Sequence, residues 1–459
     1  MTSSNLIYNC PGCGNSSRAP EGATVNRCEY CSLIVRIAKP GTILKYFYAP
    51  KLDSRSARSA ADRFLKDNEQ RLTGAVVNIR FYYLPFYRFR GLAVDYLRTE
   101  EVIEISDGDG LVEKRRKFIL KGKDFDITFP AFDEVDFGLV SLGIRPAAVP
   151  LYAEQPVLPE GGVIVGSALT GGQARELALK QHEANLSYYD KAEPLCQAMI
   201  GGQISVVYFP IWVINHEFAG VQKAVFVDAL AGRGYQSLDY PFNYDGPPST
   251  QKNSIFIKPE RHQCPNCGAD LAESQFSLFF GCKNCRRSFL LDQSGLKPIT
   301  PQVADGAVAP YWRYHLEIKS GKAYKKVADY SELLVSELSF MAKDKRENPF
   351  YLYAPAFRSA DVGRWAEAAL RMFRSQPNCR LENKLPPDHA EVTIAEAEAR
   401  EMAVFLWQVS TYRYPNLRDM TAVVRNSLPE AGELVWFPQS DIDLINKAAA
   451  FRAVNTIKK

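Results

Sequence analysis

CPNCGADLAESQFSLFFGCKNC, residues 264–285, decides how the chain is read, because CPGCGNSSRAPEGATVNRCEYC already stands at 10–31. Both stretches follow C-x2-C-x14-C-x2-C and both begin Cys-Pro-x-Cys-Gly, the second copy starting 254 residues after the first. Two residues between paired cysteines let the backbone fold back so that both sulfurs face one ion, and four thiolates satisfy a tetrahedral zinc completely. Gly14 and Gly268 follow the second cysteine of each first pair, where a tight turn benefits from a residue that tolerates positive φ. Hairpins are expected just before the second pairs, over ATVNR and FSLFFG. The spacing therefore predicts two zinc ribbons. Cys10, Cys13, Cys28 and Cys31 hold one ion, and Cys264, Cys267, Cys282 and Cys285 the other. Iron is the rival for an all-sulfur site. Four ligands leave no open coordination position for water, so both sites read as structural. His262, two residues before Cys264, is a candidate neighbour of the second ion.

The 459 residues are enough for several domains, and 46% hydrophobic with 24% charged residues is ordinary for a globular chain. Net charge is +4, from 56 basic and 52 acidic side chains, too small to imply a polyanion partner. Eight of the ten cysteines fall into C-x2-C pairs, so a reducing cytoplasm is expected. Cys196 and Cys379 stand alone and are expected to be buried small apolar residues. The opening MTSSNLIYNC lacks the basic-then-apolar pattern of a secretion signal, and apolar runs such as VVYFPIWVI at 206–214 suit buried strands rather than membrane spans.

A second pattern repeats. YLPFYRF (83–89), YFPIWVI (208–214) and VAPYWRY (308–314) each place a proline two residues before an aromatic: Tyr87, Trp212 and Trp312. A glycine follows each one, at Gly91, Gly220 and Gly321, with a further strand expected after it. The aromatics read as sheet core, with a partner groove as the alternative, and the prolines predict a strand edge or beginning. YFYAP (46–50), LYAEQP (151–156) and YLYAP (351–355) also recur, each followed by a helix signal. The first helix has Ala57, Ala61, Phe64, Leu65 and Leu72 on one face and Gly74 to end it. The second has a capping box of Thr170 and Gln173. The third has the stripe Val362, Trp365, Ala369, Met372 and Phe373.

The basic run EKRRKFILKGK (113–123) follows TEEVIEISDGDGLV (99–112), which predicts a hairpin with opposite charges across its strands rather than an anion-binding patch. Neither ribbon is strongly basic, so nucleic acid is not the expected partner: residues 1–45 hold five basic and two acidic side chains, and 260–297 five and four. Phosphate-loop, dinucleotide, nucleophile-elbow and metalloprotease patterns do not occur; His216-Glu217 lacks a second histidine at 220.

With these motifs in view, the chain resembles a bacterial group of TFIIB-type zinc-ribbon-containing proteins. The first cysteine quartet, the YAP-plus-helix segment at 48–72, YLPFYRFRG (83–91) and VYFPIWVINHEFAG with AVFVDALAGR (207–233) carry the resemblance. Some members of the group are encoded beside membrane-associated scaffold proteins, and the resemblance brings no catalytic residue. The expected fold is α+β and multidomain: a ribbon at 1–42, α/β modules with antiparallel sheets at 43–145 and 146–258, a second ribbon at 259–298, a hairpin segment at 299–345 and a C-terminal module at 346–459. The two ribbons are expected in different domains. The expected function is a non-enzymatic adaptor or assembly subunit whose partner is a protein, such as a membrane-associated scaffold. A nucleic-acid-binding protein and an enzyme with an unrecognised site are the rivals.

Overall fold

The computed structural model describes residues 5–68, 75–104, 112–132, 137–139, 149–167, 169–189, 193–218, 220–244, 254–255, 257–320, 322–334, 338, 345–359, 361–385 and 389–438. The first ribbon contributes strands β1 (Asn5–Asn9), β2 (Ser16–Pro20), β3 (Val25–Arg27) and β4 (Ile34–Arg36). Then come β5 (Ile43–Phe47), helix α1 (Ser54–Asp67) and the long strands β6 (Ala75–Glu104) and β7 (Val112–Pro130). The short strands β8 (Leu151–Tyr152) and β9 (Val163–Ile164) precede helix α2 (Gly171–Tyr189). Strands β10 (Glu193–Phe218), β11 (Val221–Asp228), β12 (Arg233–Leu238) and β13 (Ser254–Ile255) complete the first half. The second ribbon supplies β14 (Glu260–Arg261), β15 (Phe279–Gly281), β16 (Ser288–Asp292) and β17 (Gly295–Ile299). The remainder holds β18 (Gln302–Ala304), β19 (Ala309–His315), β20 (Ile318–Ser320), β21 (Lys322–Tyr324), α3 (Val327–Leu333), β22 (Tyr351–Pro355) and α4 (Val362–Ser375). It ends with β23 (Leu381–Glu382), α5 (Glu396–Thr411), α6 (Pro415–Arg418), α7 (Thr421–Ser427) and β24 (Glu433–Phe437). The architecture is α+β, with several sheets.

One large sheet runs β12-β11-β10-β5-β8-β1-β2, with β6 paired along β10 and with β7 and β9 on the far side of β6. It crosses the expected boundary at 145/146. The segments expected as two modules are interlocked, and the β1–β2 hairpin of the first ribbon is the sheet's own edge. Alternation along β10 explains the packing. Val206, Tyr208, Trp212 and Ile214 point to a face covered by α1 and α2, while Val207, Phe209, Ile211 and Val213 point to a face covered by the first ribbon together with Phe132, Phe137 and Phe242. Both faces are buried, which is why the strand reads as an unbroken apolar run. The second sheet runs β22-β19-β24-β18-β23. Helix α5 packs on β22 and β19 of that sheet and also on β10 of the large one, joining the halves.

The proline–aromatic repeat marks a shared three-part clasp. Each strand pairs antiparallel with a partner that an alanine follows directly. The carbonyls of Pro85, Pro210 and Pro310 accept from the N–H groups of Ala131, Ala229 and Ala356 at 3.0, 3.2 and 2.9 Å. In register, the aromatic two residues on lies opposite the residue two before that alanine: Tyr87 on Phe129, Trp212 on Val227, Trp312 on Ala354. Each aromatic then donates to the carbonyl just ahead of a helix N-cap. The Tyr87 hydroxyl reaches Leu169 before α2, the Trp212 indole N–H Leu52 before α1, and the Trp312 indole N–H Ile394 before α5, each at 3.0 Å. Two of the alanine carbonyls close the figure: Ala229 accepts from Lys51 and Leu52, and Ala356 from Thr393 and Ile394. The helices of the first half are thus exchanged, since the strand after α1 clasps α2 and the strand after α2 clasps α1.

Several expectations change. Pro85 and Pro210 lie inside long strands rather than at an edge or beginning. The carbonyl and nitrogen of a strand residue face the same side, and on that side each proline sits at a seam. Pro85 lies between the end of β9 pairing at Tyr83 and the start of β7 pairing at Phe86; Pro210 lies between β5 at Tyr208 and β11 at Ile211. A missing donor is tolerated there. Gly91 makes no turn: β6 runs through it, opposite Phe125, to Glu104. Gly220, at φ +82°, does turn β10 into β11, and Gly321 lies outside the described residues. The YAP segments do not share one pairing, because β5 runs parallel to β10 whereas β22 is antiparallel to β19. α1 ends at Asp67 under an Asn68 cap; Leu72 and Gly74 lie outside the described residues. Cys196 is half-buried against the core, but Cys379 is exposed in the connection between α4 and β23, where Gln376 has turned the chain out through a left-handed conformation. The Thr170–Gln173 capping box forms in both directions, at 3.3 and 2.9 Å.

Candidate metal centres

Each cysteine pair sits on a knuckle of the same construction. The N–H of the first cysteine bonds the carbonyl five residues on: Cys10 to Asn15, Cys28 to Leu33, Cys264 to Ala269, Cys282 to Arg287. Its carbonyl accepts from the residue four on, which is Gly14, Ser32, Gly268 or Arg286. These four residues have φ of 74°, 59°, 75° and 58°. The glycine expectation therefore holds for the first pair of each ribbon, and in the second pairs Ser32 and Arg286 adopt the left-handed turn despite their side chains.

The turns bring the sulfurs together. Cys10 and Cys31 Sγ lie 3.7 Å apart, Cys13 and Cys28 3.8 Å, Cys264 and Cys285 3.6 Å, and Cys267 and Cys282 3.6 Å. All four sulfurs of each quartet lie within 4.8 Å of one another. Sulfurs bound at about 2.3 Å to a tetrahedral ion stand about 3.8 Å apart, so both donor sets fit a metal of that size. The eight cysteines predicted as ligands are the eight brought together. The thiols of each quartet are shifted unevenly: the Ala269 N–H and the Asn284 side chain help bring Cys267 down to about 6, while Cys264, by burial, and Cys31 are pushed up to about 11. Burial opposes ionisation of Cys28, yet the N–H groups of Cys31 and Tyr30 bring it to about 6.

The two ribbons touch. β4 pairs with β14, Arg36 opposite Glu260, and these two side chains form an ion pair. Thr24 donates its N–H to the Gln275 carbonyl at 2.7 Å and its hydroxyl to the Ser277 carbonyl at 2.9 Å, while Arg27 pairs with Glu273 at 2.7 Å. His262 lies at this contact. Its backbone N–H bonds the Ile34 carbonyl, its ring meets the edge of Phe280 at 4.4 Å, and neither ring nitrogen has a partner among the described residues. Burial lowers it to about 4, so it packs as a neutral ring and makes no hydrogen bond to a ligand sulfur. A buried ion cluster ties the first ribbon to the large sheet: Arg88, 1% exposed, pairs with Glu21 and Asp126 at 2.7 Å each. Sequence spacing carries no sign of this cluster, since Glu21 and Arg88 are remote in the chain.

Against known proteins, no family model matches the chain, nor does any curated protein or solved structure. Among the described residues, no helix is long and apolar enough to cross a membrane.

Proposed function

We propose that both quartets hold zinc as structural ions and that the protein is a non-enzymatic adaptor or assembly subunit of a cytoplasmic or membrane-associated protein complex, in keeping with its resemblance to TFIIB-type zinc-ribbon proteins. The observation that carries this reading is the closure of both sites: four sulfurs at tetrahedral spacing leave no coordination position for a substrate. Zinc is favoured because it prefers a closed four-thiolate tetrahedron in ribbon folds. The aromatic clasps are core, with Tyr87, Trp212 and Trp312 at 2%, 4% and 2% exposure, so the groove reading of these rings is set aside. An outward contact is offered instead by Tyr30, 63% exposed between the ligands Cys28 and Cys31. The basic run supports no nucleic-acid face, since the β6–β7 register sets Arg116 opposite Glu100 and Arg115 opposite Glu101.

The test is quantitative cross-linked recovery of partners from the native host with wild type and Tyr30→Glu. The variant is expected to keep its metal and lose a defined protein partner. Identical recovery with both proteins would contradict the adaptor reading at this face. Recovery of nucleic acid with affinity falling steeply with salt would replace that reading with the nucleic-acid one.

A further inference from the structure

Where the two sheets meet, the protein forms a cavity of about 290 Å3 that is partly open to solvent. One wall comes from the first ribbon and β5, the other from the second ribbon, Arg358 and the first turn of α5. Such a volume suits a small metabolite. Glu21 in this wall is already held by Arg88 and Arg90 at 2.7 and 3.3 Å. Arg358 is not so placed. Among the described residues it has no ion pair, its Nε is sealed from solvent without a hydrogen-bond partner, and only its backbone N–H is bonded, to Thr393 Oγ1 at 2.9 Å. Burial pulls the Arg358 pKa down; Glu398 partly offsets this and Arg90 adds to it. Arg358 is half-buried, and its sealed Nε lacks the hydrogen-bond partner that a bound anion would supply. The start of α5 points the same way. It opens on Ala395, which has no side chain to cap the helix, and Ala395, Ala397 and Glu398 line the cavity. The N-cap side chain gives the first turn no hydrogen bond, and the helix dipole favours negative charge there, part of which Glu396 and Glu398 of that turn already supply.

We propose that this cavity binds a small oxyanion, a carboxylate- or phosphate-bearing metabolite, with the Arg358 guanidinium as its anchor and the start of α5 as its second contact. The ligand would join residues from both sheets and so strengthen their union. The cavity contains none of the metal ligands, although both ribbons wall it, and the proposal does not rest on the adaptor reading.

Isothermal titration of the full, metal-loaded chain with inorganic phosphate and, separately, with succinate reads the site, with chloride at equal ionic strength as the blank. Saturable one-to-one binding of at least one of them is expected, and the stronger arm tells phosphate from carboxylate. Arg358→Met should weaken binding by about tenfold or more, since a charged hydrogen-bond partner is lost. Glu398→Gln should tighten it by removing the competing carboxylate. Thermal unfolding of the free proteins is the control: Arg358→Met should be about as stable as wild type, because among the described residues the guanidinium has no hydrogen bond or ion pair to lose. Absence of saturable binding to wild type overturns the proposal, and so does binding that Arg358→Met leaves unchanged. A marked loss of stability in free Arg358→Met would show the guanidinium already satisfied within the protein, and would overturn it too.

Discussion

Trp212 and Trp312 combine a large apolar ring with a single polar handle, and each spends that handle on the carbonyl ahead of a helix. Truncation removes both the packing and the anchor. Trp212→Ala and Trp312→Ala should each lower stability by about 3–5 kcal/mol in denaturant unfolding; wild-type stability in both would show that the rings are not core. His216 illustrates a buried titratable group. It is 2% exposed on β10, opposite Val76 and Lys223, and neither ring nitrogen has a partner among the described residues. Burial lowers its pKa below the ordinary 6.5; Asp62 on α1 opposes this and Arg58 adds to it. The unfolded chain therefore takes up the proton first as pH falls. The stabilising effect of the neutral ring is complete above 6.5 and is lost progressively below it. Relative to His216→Phe, wild type should lose stability as pH falls through the ordinary 6.5, and a difference that stays constant there would contradict this.

At the scale of elements, what is legible in the sequence is local. The cysteine spacing places eight ligands, Thr170 and Gln173 announce a helix start, and the acidic and basic runs meet across the β6–β7 hairpin as expected. What escapes is long-range. Ala131, Ala229 and Ala356 have no signature of their own, because an alanine just past a strand looks like any other; its role appears only once its N–H finds a proline carbonyl on a distant strand. The exchange of α1 and α2 between β10 and β6 escapes for the same reason, since each helix is followed by a strand that it does not cap. Arg358 carries no motif at all. The seam position of Pro210 gives a test at this scale. Pro210→Ala adds a buried N–H facing the gap between β5 and β11, and an unmet donor should cost about 1–3 kcal/mol. Unchanged stability would mean that the seam holds an acceptor for it.

Across the whole molecule, the ribbons are the joint rather than appendages. The first supplies the edge of the large sheet, the second bonds into the C-terminal half through Leu278 and Val392, and they share strand pairing between β4 and β14. This alters what ligand loss should do. If the ribbons lay in separate domains, Cys267→Ser would loosen one half alone. With the ribbons joined, the substitution should also raise amide exchange in the first ribbon, at Val35 and Ile37, whose surroundings it unties. Exchange rates there equal to wild type would restore the separate-domain view. All of this stands on two closed four-sulfur centres, and their metal content is the most direct check. Native mass spectrometry of the purified, folded chain should show two zinc ions per molecule, retained until the protein unfolds. A folded chain carrying one metal, iron in place of zinc, or no metal would contradict the account.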